Sequence, residues 1–308
     1  MIKQKITDNS LINHLANIET DKIDIFLLNK GTVRGALLHG TKMINQMRVN
    51  HNLGILETLT LGQSYMGAGL MTSMVKGNDR ISFAIECGGP IKGLSVEASA
   101  NGNIRGYLFA NPIPITKPVE SFDLSPFFGP GFLSVTKHLE SSKQPFTGQV
   151  MMQHGRIAKD LANYFLESEQ IKTAFILSVY FDKEGRSIGA GGLFLQALPG
   201  AKDTALESLE ESIEKMPSLG KYFATGGSTH KLINESFKDF SPEIIGEKPV
   251  SFNCECSKER FTSFIASMDK ADRDEILKNG PFPMVTTCHN CGTDYNFSKE
   301  ELQAVFSN

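Results

Sequence analysis

The sequence of 308 residues predicts an α+β fold in three parts: an N-terminal, mainly antiparallel sheet with helices, a helical linker and a small C-terminal domain. Three observations support this prediction. Short apolar runs bounded by turn residues recur up to residue 198, with helical spacings between them. Prolines and glycines interrupt residues 199–250. Four of the five cysteines lie after residue 253.

The first predicted elements are a β-hairpin and a buried helix. Residues 24–38 contain two apolar stretches around Asn29-Lys30-Gly31, which is the turn signal of a hairpin. Residues 53–75 carry Leu, Ile and Met at helical spacings, and three glycines lie among them. Because glycine has no side chain, we expect these positions to allow close packing of a buried helix.

More strands and a second helix follow. Residues 80–110 contain three strand-like runs, separated by Gly88-Gly89-Pro90 and Asn101-Gly102-Asn103, which favour turns. Residues 157–169 place their apolar side chains on one helical face. Four further strands are predicted at residues 132–136, 146–152, 175–180 and 187–198. Together these elements predict one α+β core domain over residues 1–198.

Residues 199–250 differ in composition from the residues before them. An acidic, amphipathic helix is predicted over residues 203–216, and prolines and glycines then punctuate a segment that keeps many apolar residues. The segment is too apolar for a solvated linker and too interrupted for an independent core. We interpret it as short helices that take their stability from their neighbours, and an ordinary helical subdomain fits the sequence equally well.

The cysteines after residue 253 form two close pairs. They are Cys254-Glu255-Cys256 and Cys288-His289-Asn290-Cys291, and Gly292 directly after them suits a sharp turn. Four thiolates close the tetrahedral shell that zinc prefers, so residues 251–308 are predicted to form a zinc-binding domain. A closed shell leaves no position for a reactive water. We expect His289 to be solvated and Cys87 to be a small core residue.

Zinc binding is expected to decide whether this small domain folds. A segment of this size forms a marginal core by itself. Structural zinc contributes about 10–16 kcal/mol to folding in comparable modules. Oxidation of the thiolates to disulfides destroys their capacity to bind zinc, so such a site can act as a switch, although most four-cysteine sites are purely structural.

Charge and hydropathy exclude some classes of protein. The formal net charge is −3, and residues 251–308 contain 6 Lys and Arg against 9 Asp and Glu, which disfavours a nucleic-acid-binding zinc ribbon. No apolar run approaches the length of a membrane span, and the N-terminus does not resemble a secretory signal. We therefore expect a cytoplasmic protein that binds neither nucleic acid nor membrane.

The cysteine pattern, with Cys254-Glu255-Cys256-Ser257-Lys258-Glu259-Arg260 at its start, resembles that of the redox-regulated molecular chaperones of the heat shock protein 33 family. The resemblance extends over nearly the whole chain. It includes the helix end Tyr164-Phe165-Leu166-Glu167-Ser168-Glu169-Gln170 and the strand Ala190-Gly191-Gly192-Leu193-Phe194-Leu195-Gln196. Gly88-Gly89-Pro90 and Arg105-Gly106 also fit, whereas residues 203–243 match loosely and Cys87 departs from the family pattern.

The resemblance implies an α+β domain, a metastable linker and a zinc domain in a chaperone that holds unfolding proteins without ATP and is not an enzyme. It further implies one zinc ion per reduced chain, bound by the four paired cysteines. The implied disulfides of the oxidised protein are Cys254–Cys256 and Cys288–Cys291. It also implies that the activated protein is a homodimer.

We expect oxidation to begin at the distal pair, Cys288 and Cys291, and to unfold the C-terminal domain by release of zinc. The linker would then lose its support, and its apolar side chains would bind unfolded client proteins. The residues predicted to bind clients are Phe223, Leu232, Ile233, Phe237 and Phe240.

Two other functions remain open on the sequence. A zinc ribbon with purely structural zinc could bind a protein partner. A thiol-disulfide oxidoreductase could use the Cys288-His289-Asn290-Cys291 motif, although the expected βαβ context is missing. A hydrolase is disfavoured because no G-x-S-x-G motif occurs.

Overall fold

A computed structural model describes residues 1–115 and 121–307. Within these residues the helices are α1 (Asn9–Asn17), α2 (Thr41–Asn50), α3 (Ile55–Met71), α4 (Ser125–Phe128), α5 (Ile157–Ser168), α6 (Asp203–Glu214), α7 (Leu219–Ala224), α8 (Thr229–Ser236), α9 (Lys258–Ala266), α10 (Lys270–Asn279) and α11 (Lys299–Phe306). The strands are β1 (Lys22–Leu28), β2 (Val33–His39), β3 (Arg80–Cys87), β4 (Gly93–Ser99), β5 (Asn103–Leu108), β6 (Gly131–His138), β7 (Phe146–Met151), β8 (Thr173–Phe181), β9 (Ser187–Ala197), β10 (Glu243–Pro249), β11 (Ser251–Phe252), β12 (Met284–Cys288) and β13 (Thr293–Phe297). No described helix is both long and apolar enough to cross a bilayer.

The first sheet has the strand order β10-β1-β2-β9-β8, and all of its neighbouring strands are antiparallel. The predicted hairpin is confirmed as β1 and β2, with Leu28 opposite Val33. Its turn, Asn29–Gly31, has positive φ at all three residues. Asparagine and glycine tolerate this conformation, which explains why the turn signal was readable in the sequence.

The second sheet has the strand order β11-β5-β4-β3-β6-β7. Its longer strands are antiparallel, and they confirm the strands predicted between residues 80 and 152. The two-residue strand β11 pairs in parallel with β5, so that Ser251 lies opposite Asn103. The chain thus enters its cysteine-containing part from the edge of this sheet.

Helix α3 lies between the two sheets and confirms the predicted buried helix. Most of its residues are buried, and the hydroxyl of Tyr65 donates a hydrogen bond to the Gly106 carbonyl at 2.9 Å. A Cβ atom on Gly69 would lie 2.8 Å from methyl groups of Ile104 and Leu38, which belong to different sheets. Close packing on both sides therefore requires glycine at this position.

Helices α6, α7 and α8 cover the other face of the first sheet. Phe26, Leu37 and Leu195 of the sheet pack in one buried cluster with side chains of these helices. A Cβ atom on Gly189 would lie 1.9 Å from the Gly220 carbonyl oxygen, so this glycine allows α7 to approach the sheet. The short helices predicted in residues 199–250 are therefore present, and they pack on the first sheet.

Strand β10 is the element of residues 199–250 that the sequence did not predict. It pairs with β1 and runs from Leu27 opposite Glu243 to Lys22 opposite Pro249. Glycine and proline obscure its weak alternation of exposed and half-buried residues, and edge strands tolerate such residues. The domain boundaries at residues 198 and 250 stay predictions, as does the end at Asn308, which lies outside the described residues.

The C-terminal part consists of the β12–β13 hairpin and helices α9, α10 and α11. The side chains of Tyr295 and Phe297 alternate with exposed residues and are buried on one face of β13. A capping box begins α11: the Glu301 amide donates to the Ser298 hydroxyl, and the Glu301 carboxylate accepts from the Ser298 amide. The structure therefore agrees with the predicted α+β class.

Candidate metal centre

The four cysteines after residue 253 converge in space. Their Sγ atoms all lie within 4.8 Å of one another, and each of the four side chains is buried. The Sγ atoms of Cys254 and Cys288 are 3.9 Å apart, and those of Cys256 and Cys291 are 3.3 Å apart. None of these cysteines is in a disulfide. The two sequence pairs thus interleave around one point.

The distances suit a four-coordinate zinc ion. With Zn–S bonds of about 2.3 Å, the edges of a tetrahedral sulfur shell are about 3.8 Å long. The 3.9 Å separation matches this length, and the 3.3 Å separation requires only a small opening. The donor set also fits zinc, because four thiolates satisfy a metal that prefers sulfur and nitrogen.

Tight backbone turns position the sulfur atoms. Cys288 ends β12, and its carbonyl accepts hydrogen bonds from the amides of Cys291 at 3.2 Å and of Gly292 at 2.8 Å. Gly292 has φ +65°, and a Cβ atom there would lie 2.4 Å from the Asn50 carbonyl oxygen. Glycine is therefore required at this position both by the backbone conformation and by the core that lies against it.

The electrostatics of the thiols favour a bound cation. Hydrogen bonds from Cys288 and Cys291 hold the pKa of Cys254 far below its usual value. The interaction with Cys254 in turn raises the pKa of Cys288 to about 11, and the pKa of Cys291 is also strongly raised. Since buried thiolates repel one another, these sulfurs ionise together only when a cation compensates their charge.

Two side chains supplement the sulfur cluster. Arg105 in β5 donates from Nη1 to Cys254 Sγ at 3.8 Å and from Nη2 to Glu97 Oε1 at 2.7 Å. The hydroxyl of Tyr295 lies 3.2 Å from Cys256 Sγ. Sequence reasoning did not assign Arg105 to the site, because 149 residues separate it from Cys254 and no local pattern links them.

The core holds both cysteine loops through backbone acceptors. The amino group of Met1 donates to the Cys256 carbonyl at 2.6 Å, and Asn50 Nδ2 donates to the Cys291 carbonyl at 3.1 Å. The Gly106 amide also donates to the Asn290 carbonyl at 3.2 Å. The sulfur cluster therefore lies at the junction between the C-terminal part and the rest of the chain.

A cleft of about 680 Å³ opens beside one of the four cysteines. Cys288 lines this cleft together with residues from α2, β5 and the loop that follows each of them. His289 is exposed, as predicted, and its ring packs edge-on against Tyr107 with 5.4 Å between centroids. The cleft therefore gives small polar molecules a route toward Cys288.

The residues predicted to bind clients lie elsewhere. Phe223, Leu232, Ile233 and Phe237 are buried under the outer face of the first sheet, and Phe240 is half-buried beside them. These residues lie in one cluster, whereas the four cysteines belong to the main core. In this conformation they form a covered apolar cluster, so their binding of clients stays a prediction.

Cys87 lies at the end of β3, apart from the other four cysteines. Its side chain is half-buried and packs against the main core. Burial raises the pKa of its thiol, which makes it a poor thiolate. Cys87 thus packs at the margin of the core, whereas the sequence predicted a residue within the core.

Comparison with known proteins identifies similar chains. The sequence profile of the Hsp33 protein family matches residues 21–298. The 33 kDa chaperonin of Ruminiclostridium cellulolyticum is 32% identical over 280 residues, which cover 90% of this chain and 94% of that protein. The 33 kDa chaperonin of Levilactobacillus brevis is 31% identical over 285 residues, which cover 91% of this chain and 96% of that protein.

The fold is also similar to a solved structure. It matches the crystal structure of the 33 kDa chaperonin, a heat shock protein 33 homologue, from Thermotoga maritima with a TM-score of 0.83. The two chains are 28% identical, and the match covers 94% of this chain and 98% of that one. The similarity therefore extends over nearly the whole chain.

Proposed function

This chain belongs to the Hsp33 protein family of chaperones, and from that membership we propose that it is a redox-regulated holdase that binds unfolding proteins without ATP. The observation that carries this proposal is the convergence of four buried, unbridged cysteines at the junction of two parts of the chain. Because the cysteines lie at this junction, the packing of the C-terminal part would depend on whether their sulfur atoms bind a metal or form disulfides.

Cys254, Cys256, Cys288 and Cys291 would bind one zinc ion in the reduced protein. The ion would supply the positive charge that keeps four buried thiolates together. Arg105 adds a further positive charge on the side of Cys254. With the thiolates held in this way, the hydrogen bonds from Met1 and Asn50 keep the cysteine loops on the core.

Oxidation removes this arrangement in two steps. The thiolates of Cys288 and Cys291 give two electrons to a peroxide, form an Sγ–Sγ bond, and release two water molecules after uptake of two protons. The position of Cys288 in the wall of the cleft supports attack at this pair first. The two remaining thiolates hold a cation weakly, and Cys254 and Cys256 then form the second disulfide by the same reaction.

Loss of the metal site would destabilise residues 199–250 because a short covalent connection links them to the cysteines. Only Val250 separates β10 from β11, and Asn253 alone separates β11 from Cys254. Unfolding of the cysteine loops therefore acts on the edges of both sheets. Phe223, Leu232, Ile233, Phe237 and Phe240 would become accessible to unfolded clients. We propose that the oxidised protein forms a homodimer and that the protein acts in the cytoplasm.

The test compares reduced protein with protein treated with peroxide at mildly elevated temperature. Zinc release is measured with a chromogenic chelator, and aggregation of a thermally unfolding client is followed by light scattering. We expect one zinc ion per chain to be released and aggregation to be suppressed only after oxidation. Equal suppression before and after oxidation would contradict redox regulation while leaving the chaperone family unaffected.

A further inference from the structure

A second group of metal-binding side chains lies between the first sheet and residues 199–250. Asp24 of β1, His230 of α8 and Glu247 of β10 place their ligand atoms within 4.8 Å of one another. We propose that these three residues bind a divalent transition-metal cation of the zinc type. The site is separate from the four cysteines and is formed by three different elements.

The carboxylate of Asp24 is the strongest indication of a ligand. Its side chain is completely buried, yet Oδ2 has no hydrogen-bond partner among the described residues. Oδ1 faces His230 Nε2 at 3.2 Å. The Lys22 ammonium lies 3.5 Å from Oδ2, which makes it an ion-pair partner beyond hydrogen-bond geometry. A buried carboxylate oxygen without a hydrogen bond is costly, and a cation bound directly to it would compensate its charge at a shorter distance.

The distances are those of ligands around one ion. His230 Nε2 lies 3.2 Å from Asp24 Oδ1 and 3.6 Å from Glu247 Oε2. Oxygen and nitrogen donors at about 2.0–2.2 Å from a zinc ion are separated from each other by about 2.8–3.6 Å in octahedral or tetrahedral shells. One nitrogen and two carboxylate oxygens suit zinc and its neighbours in the transition series better than calcium or magnesium.

Solvent reaches the site through two of its three side chains. The side chains of His230 and Glu247 are 49% and 53% exposed, so an ion can enter and water molecules can complete its shell. The ion would therefore have one buried anionic ligand and two ligands that solvent reaches.

Lys22 competes with the cation for this position. Its Nζ lies 2.6 Å from Glu247 Oε2 and 3.5 Å from Asp24 Oδ2, so the ammonium group occupies the space next to both carboxylates. The lysine side chain is partly exposed at 20%, and its flexible stem allows the ammonium to move into solvent. Removal of this charge should therefore strengthen metal binding.

The location of the site determines its structural effect. A cation bound there joins α8 and β10 to β1, and so connects residues 199–250 to the core strand by direct coordination. Binding of the cation does not depend on the proposed chaperone function. A failed binding test would leave that function untouched, and a failed aggregation test would leave the second site untouched.

The experiment uses the full-length reduced protein with its four-cysteine site already loaded with zinc. Additional Zn²⁺ is titrated by calorimetry, and bound metal is counted after equilibrium dialysis. We expect a second equivalent to bind. Substitution of His230→Ala should weaken it at least about tenfold, since loss of even an outer partner of a metal costs about 10- to 100-fold. Lys22→Met should tighten it.

His154→Ala is the matched control, because His154 is exposed and lies outside the group, and it should leave the second equivalent unchanged. Addition of Co²⁺ provides an independent readout, since binding to nitrogen and oxygen donors lacks an intense thiolate-to-metal charge-transfer band. The proposal is overturned if neither the wild type nor Lys22→Met binds a second equivalent. It is also overturned if His230→Ala binds that equivalent unchanged, or if the thiolate band accompanies it.

Discussion

Arg105 shows how a single charged residue supports the sulfur cluster from outside. Its guanidinium group lies between Glu97 and Cys254, and it is partly buried. Four thiolates around one divalent zinc ion carry a net negative charge, which a neighbouring cation stabilises. Arg105 is thus a positioning residue for the candidate metal centre rather than a ligand.

Substitution of Arg105→Met should lower the affinity for zinc about 10- to 100-fold, since the outer partner of a metal ligand is lost. Competition with a chromogenic chelator measures this affinity in the reduced protein. Arg80→Met is a suitable control, because Arg80 also pairs with Glu97, at 3.7 Å, but does not contact the cysteines. Equal zinc affinity of the two variants would show that Arg105 contributes only to packing.

Gly292 allows a second test at the residue scale. Gly292→Ala should destabilise the zinc-loaded protein by about 1–3 kcal/mol, because alanine is strained at φ +65° and its Cβ meets the Asn50 carbonyl. Urea unfolding of the zinc-loaded protein measures the difference. Gly246→Ala is the control, since no atom lies within 4 Å of the added Cβ. Similar unfolding free energies would contradict the role assigned to the turn.

At the scale of elements, a histidine connects the end of β2 to α7. The ring of His39 stacks on that of Phe223 with centroids 4.5 Å apart, and its Nε2 lies 2.9 Å from Thr41 Oγ1. Burial lowers the pKa of His39 to about 4. The neutral ring is therefore the form that packs against α7.

This contact predicts a dependence of stability on pH. The pKa of histidine in an unfolded chain is about 6.5. As the pH falls from about 6.5 toward 4, the unfolded chain therefore binds a proton that the folded protein does not. The free energy of unfolding is therefore highest above this window, and it falls by about 3 kcal/mol as the pH decreases to about 4. Urea unfolding at several pH values should give a smaller loss for His39→Gln than for the wild type.

The control for the pH experiment is His154→Gln, whose exposed side chain should leave the wild-type dependence unchanged. If His39→Gln retains the full loss of stability between these pH values, then other groups cause it. The contact between β2 and α7 would then not be sensitive to protonation.

At the scale of the whole molecule, the sulfur cluster and the covered apolar cluster lie in different places but are connected by a short stretch of chain. The main core includes the four cysteines, whereas Phe223 and Phe237 belong to the cluster on the outer face of the first sheet. Strands β10 and β11 run between them. Zinc binding would thus influence residues 199–250 through strand pairing rather than through direct contact.

Removal of zinc by a chelator under reducing conditions should unfold residues 251–307, because about 10–16 kcal/mol of binding free energy is lost from a small module. Hydrogen–deuterium exchange should increase first in this part and next in β10. The core helix α3 should keep its protection, as it lies between the sheets. Unchanged exchange in the C-terminal part after complete removal of zinc would contradict this prediction. Cys87→Ser is the control: its exchange before and after removal of zinc should equal that of the wild type, because Cys87 lies outside the four-cysteine cluster.

Local patterns in the sequence were sufficient for many elements of the fold. The hairpin turn at Asn29–Gly31, the glycines of α3 and the capping box at Ser298 each depend on residues close together in the chain. Backbone conformation and periodic burial act over such short distances, so their signals survive in the sequence. The two cysteine pairs are local for the same reason.

Contacts between distant residues were decided only by the tertiary structure. Lys22 meets Glu247 across 225 residues, and Arg105 meets Cys254 across 149 residues. The pairing of β10 with β1 follows from the register of an edge strand, which glycine and proline conceal in the sequence. Partner choice of this kind depends on how whole elements pack, and that packing is a property of the folded chain rather than of any short segment.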